Sequence, residues 1–316
     1  MKRARTLTAA LVAGALALSL AACSPDGSSS SNRKPVAVTI GSLDTPESQI
    51  VAQLYGQALA HEGYDISYNP GIGNRTAYVE ALKSGVVDVV PETIGSLLAS
   101  LAPTARYSDS ATMVAAIETI LEDQAVAVEE GEDPKPELRL LDAAAAQDTY
   151  AFVMTKSFAR THNIVTLRDL APIAAGVSIG ATSGFDALPI GRPGLERVYG
   201  VRDWEYVPFE TDTARPLIDA LEADTVQVIA IPSTSADITG KDLVVLGDPN
   251  GLVVSQNIAP LVSEKAYSGK LARILNAVSK RFTTNDLRDL GVAVSRDSIS
   301  YENAARDWLL GKGFLD

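Results

Sequence analysis

Apolar positions along the chain follow two alternating rhythms, short β-branched runs and longer stretches with a helical repeat, and the alternation predicts an α/β protein. Val36 to Ile40 reads as a first strand, broken by Gly41-Ser42-Leu43-Asp44. Thr45-Pro46-Glu47 then opens a helix, with Thr45 as N-cap and Pro46 at the first helical position. Ile50, Val51, Leu54, Ala58 and Leu59 recur at helical spacing before Gly63 stops it. Tyr64 to Tyr68 predicts a second strand, Gly71 to Asn74 a turn, and Thr76 to Ser84 a short helix ended by Gly85. Val86 to Val90 is too short for a helix and reads as a buried strand that Pro91, with no N–H to give a ladder, terminates. Ligands of open α/β sheets lie beyond the carboxyl ends of strands, so Glu92, Thr93 and Ile94 are expected at a cleft wall.

Ser96 to Leu101 and Ser110 to Glu122 follow as helices, the second capped by Ser110 and buried through Met113, Ile117, Ile120 and Leu121. Glu129 to Pro134 is an acidic, proline-terminated run and reads as a solvated loop. Near residues 147 and 148 the pattern restarts as a second α/β unit, with strands over Tyr150 to Met154, Val177 to Ala181, Trp204 to Pro208 and Val226 to Ile231. Short helices are expected over Pro193 to Tyr199 and Ala214 to Ala223. Ser255-Gln256-Asn257 leads back to a strand at Ala259 to Val262, and the remainder is helical, capped by Thr283 or Thr284 and by Ser300. Two crossings between two α/β lobes imply a hinge. One lobe is residues 35–147 plus 257–316, the other 148–256.

The N-terminus changes the picture of where this fold resides. Lys2, Arg3 and Arg5 precede an apolar run from Leu7 to Ala22, a secretory signal over residues 1–22 closing on Leu20-Ala21-Ala22-Cys23. That ending resembles the bacterial lipobox, which implies lipid on the Cys23 sulfur and a place at the outer face of the cytoplasmic membrane. The serine-rich residues 23–34 read as a flexible tether. Cys23 is the only cysteine, so no intramolecular disulfide or other catalytic thiol is available. Removal of Lys2, Arg3 and Arg5 takes the formal charge from −12 to −15, which argues against nucleic acid as a partner.

With these elements placed, the chain resembles the substrate-binding proteins of glycine betaine, choline and related osmoprotectant ABC importers. Ile40-Gly41-Ser42 before a helix containing Glu47 is similar to that family's Gly-Ser-Lys-Asn-Phe-Thr-Glu. Glu80 to Gly85 with Asp88, Pro91-Glu92 and Gly95 resembles the stretch ending in Pro-Glu-Tyr-Thr-Gly. Asp148-Thr149-Tyr150-Ala151 resembles Asn-Thr-Tyr-Ala, Pro193-Gly194-Leu195 a Pro-Gly-Leu, and Asn257 with Ala259 to Val262 an Asn-Ala-Ala-Pro-Leu-Val. The resemblance implies a two-lobed periplasmic-binding-protein-like fold of type II, each lobe a sheet flanked by helices. It also implies a small solute as ligand, an ABC permease with its ATPase as partners, a monomer, no cofactor and no metal.

The family holds methylated cations in a box of aromatic faces. Here Thr93 stands in place of the signature tyrosine, Gln256 in place of an aromatic, and Leu43 in place of a lysine, while Gly184 and Leu188 replace a glutamate and an arginine. Tyr150, Phe185 and Tyr78 do not assemble a convincing cage. The predicted strand ends and crossovers gather Ser42, Thr45, Thr93, Thr182, Ser183, Ser233, Thr234, Gln256 and Asn257, which donate and accept hydrogen bonds and suit a neutral hydroxylated ligand. Tyr150 and Phe185 join them as candidate ligand contacts, and so does Asp44. Many of these residue types also cap helices and close turns, and Asp44 and Glu92 read equally as solvated or capping carboxylates. Two other classes stand beside the importer component: a sensor or adhesion lipoprotein built on the same lobes, and an envelope enzyme. Against the enzyme, His61 falls at the end of the first helix and His162 in a loop between lobes, and no nucleophile elbow or phosphate loop occurs.

Overall fold

The computed structural model describes residues 35–104, 109–125, 135–211, 213–238 and 242–316; the signal segment, the whole tether with Cys23 and the acidic run Glu129 to Pro134 lie outside them. In chain order the strands are β1 (Ala37–Gly41), β2 (Asp65–Asn69), β3 (Val89–Thr93), β4 (Leu138–Leu140), β5 (Tyr150–Thr155), β6 (Ser178–Thr182), β7 (Glu205–Phe209), β8 (Val228–Pro232), β9 (Leu243–Val245) and β10 (Ile258–Ser263). The helices are α1 (Pro46–His61), α2 (Arg75–Ser84), α3 (Ile94–Leu101), α4 (Ser110–Asp123), α5 (Lys156–His162), α6 (Arg192–Gly194), α7 (Arg215–Glu222), α8 (Gly269–Arg281), α9 (Thr284–Ser295) and α10 (Tyr301–Gly311).

They form two five-stranded sheets with matching plans, β2-β1-β3-β10-β4 and β7-β6-β8-β5-β9. In each, parallel strands are continued by an antiparallel one: β10 runs against β3 in the first, and β5 against β8 in the second. The core strands are covered on both faces, which is why they read as unbroken apolar runs. Val89 and Val262 face a core shared with α1, α8, α9 and α10, whereas Val90 and Leu261 face α2, α3 and α4. The second sheet divides likewise, Phe152, Ile179 and Ala230 on one side and Val153, Ile229 and Ile231 on the other. These two mixed, helix-flanked sheets are the two-lobed periplasmic-binding-protein fold.

Most caps fall where the sequence places them. Thr45 accepts from the Ser48 N–H, Gly85 closes α2 in the left-handed conformation, and Thr283 and Ser300 cap α9 and α10. Asp109 rather than Ser110 caps α4. Pro193 to Tyr199 is not one helix but the turn α6 followed by a π-helical turn over Leu195–Tyr199. His162 ends α5 in the second unit, its ring 4.3 Å from that of Phe158, and is not in a loop between lobes.

The strand at Pro91 needs a larger correction. It does not stop there; β3 begins at Val89 and continues to Thr93, with Pro91 opposite Pro260 in the antiparallel ladder. Two prolines can face each other only in a non-hydrogen-bonded pair, where neither ladder bond is required of them. The Pro260 carbonyl indeed turns away to accept from Leu141 of the opposite flank. Pro91 has its missing donor toward β1, where pairing has run out after the single match Ile40 with Val89.

Extending β3 carries Glu92 into the interior, so it is neither solvated nor a cap. Its carboxylate is 2% exposed and receives two parallel bonds from Arg75 of α2, both 3.0 Å, while the same guanidinium donates to the Tyr78 hydroxyl at 2.8 Å. Burial pushes the Glu92 carboxyl above the ordinary range, and the Arg75 hydrogen bonds and charge pull against that shift. The fork ties α2 to the end of β3. Arg75→Ala would leave a buried carboxylate unpaired, so urea denaturation should register a loss of about 3 kcal/mol, partly recovered when Glu92→Gln is added. A loss below about 1 kcal/mol would show that the pair does not hold this junction.

Candidate ligand site

The chain passes between the sheets at residues 147–149 and returns at 255–257, and the two passes lie side by side. Gln147 bridges Asn257 in antiparallel fashion, and the Asp148 N–H donates to the Gln256 carbonyl at 3.2 Å. The segment after β8 is stitched into the same place. Ser233 and Thr149 exchange backbone and hydroxyl bonds, and the Ser233 hydroxyl also donates to the Gln147 carbonyl at 3.2 Å. From α9, Arg288 donates through Nε and Nη2 to the Ser233 carbonyl at 3.1 and 2.8 Å. Thr284, on the same helix, accepts from the Gln147 N–H at 3.0 Å.

Two cavities flank this junction. The larger, about 740 Å³, has an apolar floor of Tyr150, Phe152, Leu246 and Val253 and a polar rim that includes Gln147, Thr149, Ser233, Asn250, Ser255 and Asn285. The smaller, about 50 Å³, lies between the start of α1, the end of β3 and the first crossing, against Thr45, Glu47, Ser48, Thr93 and Asp148. Asp248 shapes the wall of the larger one by accepting from the Leu252 and Val253 N–H groups at 2.9 and 2.7 Å and from the Tyr199 hydroxyl.

Of the residues expected from sequence, Tyr150 and Ser233 line the larger cavity and Thr45 and Thr93 the smaller. Phe185 is buried and packs 5.5 Å from the Tyr150 ring and 6.0 Å from Phe152, supporting the floor from behind. Tyr78 is buried beside Arg75 in the first lobe, away from these rings. Ser42 is buried at the end of β1, with its backbone bonded to Asn69 and Ile72. Asp44 accepts from Gln49 at 3.3 Å. Thr182 closes β6 with its carbonyl on the Tyr206 hydroxyl, and Ser183 donates to Glu210.

The remaining candidates are engaged within the junction itself. Thr234 donates to Asp148 at 3.3 Å, and Asn257 donates from Nδ2 to the Ala144 carbonyl at 2.7 Å, leaving its buried Oδ1 without a protein donor. Gln256 takes over a cap. Thr93 makes no side-chain bond to the start of α3, and the Gln256 Oε1 accepts from the Ser96 N–H and hydroxyl at 3.0 and 3.1 Å instead. Gly95 permits that approach, since a Cβ there would stand 2.5 Å from the Ser255 carbonyl oxygen.

Several groups at the site were not singled out from sequence. The contribution of α9 joins residues far apart in the chain, and nothing in the local pattern signals it. Asp148 left a trace, because it stands where the family motif has asparagine. Its carboxyl is pushed up to about 6, first by burial and then by the charge of Glu47, with the Thr234 hydroxyl opposing. Among the described residues no cluster of three or more His, Cys, Asp or Glu is placed to hold a metal ion.

Known proteins share this fold. A solved glycine betaine/carnitine/choline ABC transporter protein is similar at 20% identity and a TM-score of 0.77, over 88% of this chain and 100% of the other. Apo YehZ from Escherichia coli is similar at 20% identity and a TM-score of 0.75, over 89% and 100%. Lactococcal OpuAC, in a closed form with glycine betaine, reaches 0.52 at 16% identity, over 88% and 96%. These likenesses carry the fold. The family described as the substrate-binding domain of ABC-type glycine betaine transport systems matches residues 36–310, and the chain therefore belongs to it.

Proposed function

We propose that the mature chain is the monomeric solute-binding component of an osmoprotectant-type ABC importer, held by lipid on Cys23 at the outer face of the cytoplasmic membrane. Its two lobes close on a neutral hydroxylated solute and deliver it to the permease and its ATPase. The observation that carries the ligand class is the larger cavity: its rim is mostly hydroxyls and amides, and its aromatic floor is Tyr150 and Phe152, both packed on Phe185. A methylated cation has no N–H to offer those acceptors and needs ring faces on several sides. A polyol, sugar or phenolic compound can satisfy donors and acceptors at once while laying an apolar face on the floor. The mechanism is capture by differential affinity, since a solute shifts the lobes only by as much as it prefers the closed state.

Thermal midpoints measured with polyols, sugars, phenolics, choline and glycine betaine test the ligand class. A neutral hydroxylated compound at a hundred times its Kd should add about 2.7 kcal/mol of stability, and Tyr150→Ala should abolish that gain. Tight binding of glycine betaine or choline alone would refute the reading. Anchoring is tested separately. Mass spectrometry of the membrane-extracted protein should find an N-terminal Cys23 carrying acyl chains, and a mature chain whose N-terminal cysteine is unmodified would exclude the lipid.

A further inference from the structure

One ionisable group in the crossover has no part in holding a neutral solute. Asp148 is the second residue of the first crossing, and its surroundings come from both lobes. From the second lobe, Thr234 donates to its Oδ1 at 3.3 Å, while the returning crossing receives its N–H at the Gln256 carbonyl. From the first lobe, Glu47 in the opening turn of α1 faces it across the small cavity, beside Thr45, Ser48 and Thr93.

The charged groups around this point are otherwise committed. Glu92 of β3 also lines the cavity, but its charge is matched by the Arg75 fork. Arg288 of α9 spends its guanidinium on the Ser233 carbonyl and the Asn285 side chain. Asp148 and Glu47 are thus two like charges on opposite sides of the crossover, with the carboxyl of Asp148 raised to about 6 by burial and by Glu47. An asparagine, as in the family motif, would carry no charge there at any pH.

We propose that Asp148 and Glu47 make the crossover a proton-responsive hinge: protonation of Asp148 lets α1 and the first crossing stay together around the small cavity, and its ionisation drives them apart. The sign follows from the raised carboxyl. The described arrangement binds the proton more tightly than one in which Asp148 reaches water. It is therefore favoured fully below the ordinary aspartate value of about 4, and that advantage is lost as pH rises through about 6. Rotation about the crossings changes the distance between the two carboxylates, because Glu47 moves with the first lobe whereas Asp148 is bonded to the second. Proton binding and lobe angle are then linked.

Small-angle X-ray scattering of the solute-free mature protein between about pH 4 and about pH 8 reads the lobe angle. The radius of gyration should rise as pH goes from about 4 to about 6 and level off above that. Asp148→Asn should keep the compact, low-pH value throughout, and Glu47→Gln should diminish the expansion or move it to higher pH, because the repulsion that favours opening is gone. Thermal midpoints of wild type and Asp148→Asn over the same range report whether Asp148 titrates. A flat scattering profile in the wild type would overturn the proposal even if the thermal midpoints diverge, and so would an undiminished transition in Asp148→Asn. Neither measurement contains solute, so failure of the hinge leaves the ligand titrations standing, and failure of every solute to bind leaves the hinge test intact.

Discussion

Everything at the site depends on the two crossings lying side by side and bonding to each other. A backbone leaving one sheet for another exposes N–H and C=O groups that no ladder satisfies, and buried groups of that kind must find partners. Here the crossings supply them mutually through Gln147 with Asn257 and Asp148 with Gln256, and the segment after β8 adds Ser233 with Thr149. Side chains complete the set. Several serines, threonines and amides of the crossover are therefore structural before they are anything else, and what faces the two cavities is what this lattice leaves over.

The surroundings of Thr93 illustrate this. The second crossing lies against α3, and Gln256 reaches the helix start that Thr93 leaves uncapped. The approach requires Gly95. Cap, glycine and crossing are one arrangement, so the amide of Gln256 fixes the position of the crossover relative to the first sheet. The cavity rim inherits its geometry from this.

Much of the fold was legible because its signals are local. Strands covered on both faces appear as apolar runs, and Thr45, Thr283 and Ser300 announce helix starts within three residues of themselves. Pro91 misled for a reason also visible in the structure: a proline ends a strand only if its missing donor is needed, and that is decided by its register opposite Pro260, far away in the chain, and by where pairing with β1 runs out. Glu92 went with it, since the extra strand residues turn an apparently solvated carboxylate into a buried one paired with Arg75. The site was legible as a region, at the strand ends and crossings, but not as a set of contacts. Whether a hydroxyl faces a cavity or a carbonyl is settled by neighbours such as Arg288 and Thr284, which arrive from the C-terminal helices.

The placement of β10 has a consequence for how such a chain is built. The second sheet is made entirely from one continuous stretch, β5 to β9, whereas β10, made after it, lies inside the first sheet and is the named strand against which β4 pairs. A polypeptide emerging amino end first can complete the second lobe while the first still has β3 open along one flank and β4 without its ladder. The part synthesised earlier is thus the part finished later. Its exposed valines must be shielded until Ile258 to Ser263 arrives, and the long sequence separation of that closing step makes it the slow one.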